Sequence, residues 1–307
     1  MNTARKPILV TGSHRSGTTW TGKNLAQAPH TGYIHEPFNI DAKFGVVENP
    51  FNNWFQYICD ENSAEFIEVL RRVIQYGYPL RRNLARAKTV QMVNKIAKCQ
   101  MLSLLHKIKN DPPIVKDPIA IFSADWLSKT FDMDVIVLIR HPAAFCSSLK
   151  KKNWLFDFDH FIKQPLLMHK YLNIFEKKIH SCMKNKKDII DQGILLWNCI
   201  YHTVNIYQQD HPEWLFVRHE DLSSKPVDQF RSIYETFNLK FTSKVNSIII
   251  KNSGAHNPTE QQPGNEFIRN SNENIYNWKR RLTQGEIERI KENTFEISKL
   301  FYTENEW

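Results

Sequence analysis

Pro7-Ile8-Leu9-Val10-Thr11-Gly12-Ser13-His14-Arg15-Ser16-Gly17-Thr18-Thr19-Trp20 is the stretch that decides how this chain folds. Its apolar start reads as a buried strand, Gly12 allows a sharp exit, four residues loop to Gly17, and two threonines open a helix. A strand–loop–helix junction of this kind aims backbone N–H groups and a helix N-terminus at one point, which suits a phosphate. The run departs from a Walker A loop, which carries lysine directly after its second glycine. Thr18 stands there instead, and the cation has moved ahead of the glycine as Arg15.

Further short apolar segments read as buried strands at 32–35, 113–116, 135–139 and 214–217, in addition to 7–10. Helical patterns lie between them, and that alternation predicts a parallel sheet covered on both faces, a P-loop (kinase-like) α/β fold. Pro142 is placed to open a helix. Ser224 and Pro226 start a run through Val227, Phe230, Ile233 and Tyr234, and Thr283 with Glu286 forms a capping box. One domain over 1–307 is expected, with a helical insertion at about 41–111, because that stretch is far longer than a crossover helix needs.

The insertion carries an unusual charge pattern. From Arg71 to Asn110 there are ten Lys/Arg, among them Arg81, Arg82, Lys95 and Lys98, and no Asp or Glu. Val93, Ile96, Leu104, Leu105 and Ile108 recur at helical spacing and leave Lys95 and Lys98 on other faces. Such a helix can bind anions, lie on a membrane surface or be solvated. The whole chain has 41 Lys/Arg against 32 Asp/Glu, a net charge of +9 that suits a polyanionic ligand. Nucleic acid is disfavoured, because no basic repeat is interleaved with aromatics. The five cysteines are widely spaced without a CxxC pair or a zinc-site pattern, so core thiols are expected and no metal. No apolar run approaches 18 residues and residues 1–6 are too short and polar for a signal segment, so a cytoplasmic location is expected.

The strand at 135–139 runs into Arg140-His141-Pro142, with Ser148 eight residues after the arginine, a junction that taken alone is a common strand-to-helix turn. Strand end, helix N-terminus and first turns can converge there on one anion. Together, Arg15-Ser16-Gly17-Thr18-Thr19-Trp20 and Arg140…Ser148 resemble the 5′-phosphosulfate loop and 3′-phosphate motif of sulfotransferases that use 3′-phosphoadenosine 5′-phosphosulfate (PAPS). Arg218-His219-Glu220-Asp221-Leu222 is similar to that family's Tyr-Glu-Asp-Leu segment, with histidine for tyrosine. Phe267-Ile268-Arg269-Asn270-Ser271 and Trp278-Lys279 resemble its last motif loosely, lacking Lys-Gly. The resemblance covers most of the chain as scattered motifs and leaves 41–111 outside.

The resemblance implies roles. Arg15 holds the bridging oxygen and leaving phosphate, where cytosolic members use lysine; Ser16, Gly17, Thr18 and Thr19 supply donors; Trp20 stacks on adenine. Arg140 and Ser148 hold the 3′-phosphate with Arg269, His219 contacts the adenine side, and His14 lies beside the donor. Many carbohydrate sulfotransferases place a Glu-Pro after the first helix, which Tyr33-Ile34-His35-Glu36-Pro37 matches; Glu36 is therefore the leading general base. Pro37 bars a helical continuation and is expected to keep Glu36 extended. A second candidate is Asp117 in Lys116-Asp117-Pro118, with Lys116 as electrostatic helper; cytosolic members carry a histidine base there, which this chain lacks. Membrane-anchored relatives of the Golgi make the unanchored chain look like a bacterial-type enzyme. The resemblance implies a PAPS donor without metal and a small-molecule or glycan acceptor, with an anionic acceptor or peripheral membrane contact left open for the basic insertion. A nucleoside or nucleotide kinase and a non-enzymatic nucleotide- and anion-binding protein are the alternatives.

Overall fold

The computed structural model describes residues 5–41, 50–185, 188–259 and 268–307. Its centre is a five-stranded parallel sheet made of β1 (Ile8–Gly12), β2 (Gly32–His35), β3 (Pro113–Lys116), β4 (Asp134–Ile139) and β5 (Leu215–Arg218), in the order β2-β3-β1-β4-β5. All pairs are parallel, with Val10 opposite Lys116 on one side and Ile136 on the other. The strands are almost wholly apolar because both faces are covered. Leu9, Val115, Val135, Val137 and Ile139 join the core on one face. Ile8, Val10, Ile114, Ile136 and Leu138 join the core on the other. Strands 32–35 and 113–116 are as expected; β1, β4 and β5 each differ from expectation by one or two residues at their ends.

β1 lies between β3 and β4, so the chain crosses over in opposite directions on its two sides, and a crevice opens at the strands' carboxyl ends. Helix α1 (Thr18–Leu25) rises from the loop after β1. Gly12 leaves β1 at φ 136°, and a Cβ there would overlap the Leu138 carbonyl of β4. Only glycine fits that position.

Between β2 and β3 the described part of the insertion is irregular over 50–62 and then mostly helical, ending in α2 (Val90–Lys109). Ile96 alone is buried, while Val93, Leu104, Leu105 and Ile108 are exposed. Helix α3 (Pro142–Lys152) begins at Pro142, with the His141 ring accepting from Ala143 N. The long α4 (Ile189–Asp210) packs beside it and supplies Trp197 and Tyr201 to the centre. The helix at Pro226–Thr236 has Lys225, not Ser224, at its N-cap, because the Ser224 hydroxyl is spent on the Asp221 carbonyl one turn back. The Thr283 capping box forms on the last long helix. All five cysteines are free thiols.

Candidate active site

Two clefts open at the carboxyl edge of the sheet, and Glu36 lines both. The first, of about 510 Å³, collects Arg15 and Gly17–Trp20 from the loop after β1, Arg140 and Ser148 from the β4–α3 junction, His219 from the end of β5, and Arg269 from the C-terminal segment. Residues distant in sequence therefore meet in one place. Among the described lining residues are seven cations (Arg15, Lys23, Arg140, Lys151, Lys152, Arg269, Arg281) and one carboxylate, Glu36. In a walled cleft such an excess focuses a field attractive to a polyanion. Phe267 of the last motif lies outside the described residues.

The loop's own geometry is suited to an anion. Gly17, the N-cap of α1, adopts φ 94° and provides no side-chain cap, so the first-turn amides face the cleft without a side-chain acceptor. A Cβ on Gly17 would overlap the His219 ring. Arg15 also sits in left-handed backbone, at φ 65°, and its Nε donates to Ser148 Oγ at 2.9 Å. That bond joins the two expected phosphate positions.

Arg140 is nearly buried; its Nε makes no hydrogen bond and stands 3.6 Å from Glu220 Oε1. Its backbone is clamped by α4, with Arg140 N donating to the Tyr201 hydroxyl at 2.8 Å and Trp197 Nε1 donating to the Arg140 carbonyl at 2.9 Å. The same Tyr201 hydroxyl lies 2.8 Å from Ser13 Oγ, so one phenol ties the first loop to the second. Neither Trp197 nor Tyr201 shows any motif signal. Lys151 and Lys152 could have been suspected, since they follow Ser148 on α3. His219 Nε2 bonds Ser223 Oγ at 3.1 Å while its buried Nδ1 has no partner, and the Trp20 ring meets His219 edge-on with centroids 6.1 Å apart.

Glu36 directly follows β2, its amide donating to the Lys116 carbonyl at 2.8 Å. It is not extended as expected. Its φ is 45°, because the chain turns at once and Asn39 N donates back to the Glu36 carbonyl. A non-glycine residue held at positive φ stores strain, and such residues cluster at functional sites. The Glu36 carboxylate is ion-paired with the fully buried Lys116 ammonium and accepts from Asn39 Nδ2 at 2.8 Å. Burial pushes the Glu36 carboxyl up, but Lys116 above all, with His35 and Asn39, outweighs it and holds the group below its usual range. Lys116 itself is lowered, by burial.

Four expected site residues are placed elsewhere than in the cation-lined cleft. Lys116 reaches it only through Glu36. The Ser16 hydroxyl is turned inward onto the Ser13 carbonyl at 2.5 Å. Asp117 is fully buried, its two oxygens accepting from Phe38 N at 2.7 Å and Ile119 N at 2.9 Å, so it caps two turns and lines neither cleft. Burial lifts its carboxyl to about 7. His14 lines the second cleft, packed by Phe55, Phe145 and Trp154, and burial with the adjacent Arg15 pushes its imidazole down to about 3. That cleft, of about 530 Å³, has a different character: Trp54, Phe55, Trp154 and Phe156 form walls, with Asn39, Asp41, Asp157 and His160 at their edges. None of Arg81, Arg82, Lys95 and Lys98 lines either cleft.

The model of the sulfotransferase family matches residues 7–243, most of the chain, and the chain belongs to that family. The match runs through 41–111 and stops short of Arg269. Among solved structures, the chain is similar to the sulfotransferase domain from the curacin biosynthetic pathway, at 15% identity over 97% of this chain and 98% of that one, with a TM-score of 0.48. It is also similar to the sulfotransferase domain from the Synechococcus PCC 7002 olefin synthase, at 12% identity over 97% and 96% of the two chains, TM-score 0.45. For sulfotransferase STF9 from Mycobacterium avium the values are 14%, 98%, 78% and 0.45. No curated protein matches the chain closely enough to count as a relative. Among the described residues no group of three metal-ligating side chains occurs, and no helix is long and apolar enough to cross a membrane.

Proposed function

We propose that this sulfotransferase moves a sulfuryl group from PAPS to a hydroxyl of a carbohydrate acceptor, with Glu36 as general base. One observation carries the reading: Glu36 stands where a cation-lined cleft meets an aromatic-walled one. The first suits a nucleotide with phosphates at both ends, and Arg140 Nε and His219 Nδ1, neither of which makes a hydrogen bond, leave bonding capacity for such a ligand. The second suits the flat faces of a sugar ring; its carboxylates Asp41 and Asp157 favour a neutral or cationic acceptor over an anionic one.

The donor supplies a sulfuryl group on a phosphate leaving group, so transfer breaks one S–O bond and forms another to the acceptor oxygen. Arg15 and the first-turn amides of α1 stabilise charge building on the leaving phosphate. Arg140, Ser148 and Arg269 hold the 3′-phosphate, and Trp20 with His219 holds the adenine. Glu36 takes the acceptor's proton, while Lys116 keeps the carboxylate ionised and aimed. The His14 ring, neutral at pH 7, closes the side facing the acceptor. The kinase alternative requires a cation after Gly17, where Thr18 stands.

The test is transfer of labelled sulfuryl from PAPS to a panel of neutral, amino and acidic sugars. Glu36→Gln should lower kcat by about 10²–10⁴ with affinity for 3′-phosphoadenosine 5′-phosphate (PAP) intact. Phosphoryl transfer from ATP, or a fully active Glu36→Gln enzyme, would overturn the reading.

A further inference from the structure

Helix α2 packs onto the protein with the side that carries Met92, Ile96, Cys99, Ser103 and His106; His106 bonds Asp111 at 2.9 Å and stacks on Tyr76. At 3.6 residues per turn the opposite side carries Val90, Val93, Ala97, Met101, Leu104 and Ile108 in one stripe. Val90 and Ile108 are each 75% exposed, and the others are exposed too. The stripe faces Leu80 and Leu84 of the helix Leu80–Ala85 across an open groove of about 500 Å³, in which Gln100 is the one polar lining residue described. An amphipathic helix has thus been mounted with its apolar side outward.

Cations border the stripe. On the helical wheel Lys107 lies on one side of it, and Lys98, Lys109 and Lys95 lie on the other; all four are exposed. Arg81, Arg86 and Lys88 add exposed charge on the neighbouring segment. No Asp or Glu occurs between Arg71 and Asn110 to offset them. We propose that this face docks on an anionic lipid surface, with α2 lying in the plane of the headgroups, its apolar stripe inserted and its lysines on lipid phosphates. The pattern of an apolar stripe between lysines on a single-signed segment is what interfacial helices use. A second copy of the chain fits less well, since pairing would bring two such cationic segments together with no acidic residue of this stretch between them. The proposal is independent of the donor and the acceptor.

Co-sedimentation with vesicles tests it. The full chain should bind vesicles of mixed phosphatidylglycerol and phosphatidylcholine, weaken as salt rises, and leave vesicles of phosphatidylcholine alone unbound. Each of Lys95→Glu, Lys98→Glu, Lys107→Glu and Lys109→Glu should lower partitioning by about fivefold or more. Leu104→Asp with Ile108→Asp should abolish it while leaving solution sulfotransferase activity unchanged, because none of these side chains lines either cleft. These residues are exposed, so circular dichroism should match the parent; should the double variant unfold, the lysine series decides. Failure to bind the anionic vesicles, or binding indifferent to both sets of substitutions, overturns the proposal. So does light scattering that finds a dimer dissolved by Leu104→Asp, with no lipid binding.

Discussion

At the scale of single residues, the site is built from groups that folding has made uncomfortable. Arg140 is the clearest case: a guanidinium nearly out of water, with an unbonded Nε and a carboxylate at 3.6 Å. An incoming 3′-phosphate would complete its bonding, so Arg140→Ala should weaken PAP by about 2–4 kcal/mol. Adenosine 5′-phosphosulfate, which lacks that phosphate, should bind the variant as it binds the parent; titration calorimetry on both ligands checks the assignment, and equal losses refute it. His14 makes a prediction about acid stability. Its folded pKa of about 3 lies below the unfolded value of 6.5, so the folded state holds it neutral. That contribution is complete above pH 6.5 and is lost as pH falls toward 3, because the unfolded chain takes up the proton first. Between pH 7 and 5 the parent should lose about 2 kcal/mol more stability than His14→Phe, measured by urea unfolding. Parallel losses would mean that His14 is not buried neutral.

At the scale of elements, the decisive unit is the β1–loop–α1 junction, where two glycines serve different neighbours. Gly17 abuts a side chain, the His219 ring, whereas Gly12 abuts the backbone carbonyl of Leu138 in the adjacent strand. Both lie at positive φ, so alanine at either should cost about 1–3 kcal/mol in strain. The neighbours then separate the two. Gly17→Ala should also displace His219 and weaken PAP, and adding His219→Ala should return part of the lost stability in a double-mutant cycle. Gly12→Ala should be the more damaging, and no side-chain truncation should rescue it. Thermal unfolding of the set tests this ordering. On the other side of the sheet, Tyr201 acts as a staple between elements, holding Ser13 and Arg140 with one hydroxyl.

At the scale of the molecule, the net charge of +9 is unevenly placed. Among the described lining residues of one cleft, seven are cations and one is a carboxylate. In the absence of an anion that cleft repels itself, so added salt should raise the melting temperature of the unliganded protein. PAP should raise it further at low salt, and that increment should shrink as ionic strength grows, since ligand stabilisation follows affinity and affinity here is electrostatic. Differential scanning fluorimetry across a salt series reads both trends. A PAP increment insensitive to salt would show that the cluster does not meet the phosphates.

Much of this architecture is set by local sequence. Runs such as Val135–Leu138 have no polar residue to offer solvent, so they become strands of a sheet covered on both faces. Gly12 and Gly17 permit backbone angles that other residues resist, and Pro142 begins a helix wherever its neighbours allow. Hence the sheet, the strand–loop–helix junction after β1 and the helix start at Pro142 can be read before folding. What the side chains do once there depends on residues far away in the chain. Ser16 and Asp117 look available in sequence, yet folding supplies backbone partners that consume their polar atoms. Glu36 is turned by a hydrogen bond from Asn39 rather than extended by Pro37, and its charge state is governed by Lys116, 80 residues later. Trp197, Tyr201, Lys23 and Arg281 join the site through tertiary structure, with no motif to announce them. The apolar periodicity of α2 predicts a helix correctly but not which way it faces, because periodicity describes one element while burial is a relation between several.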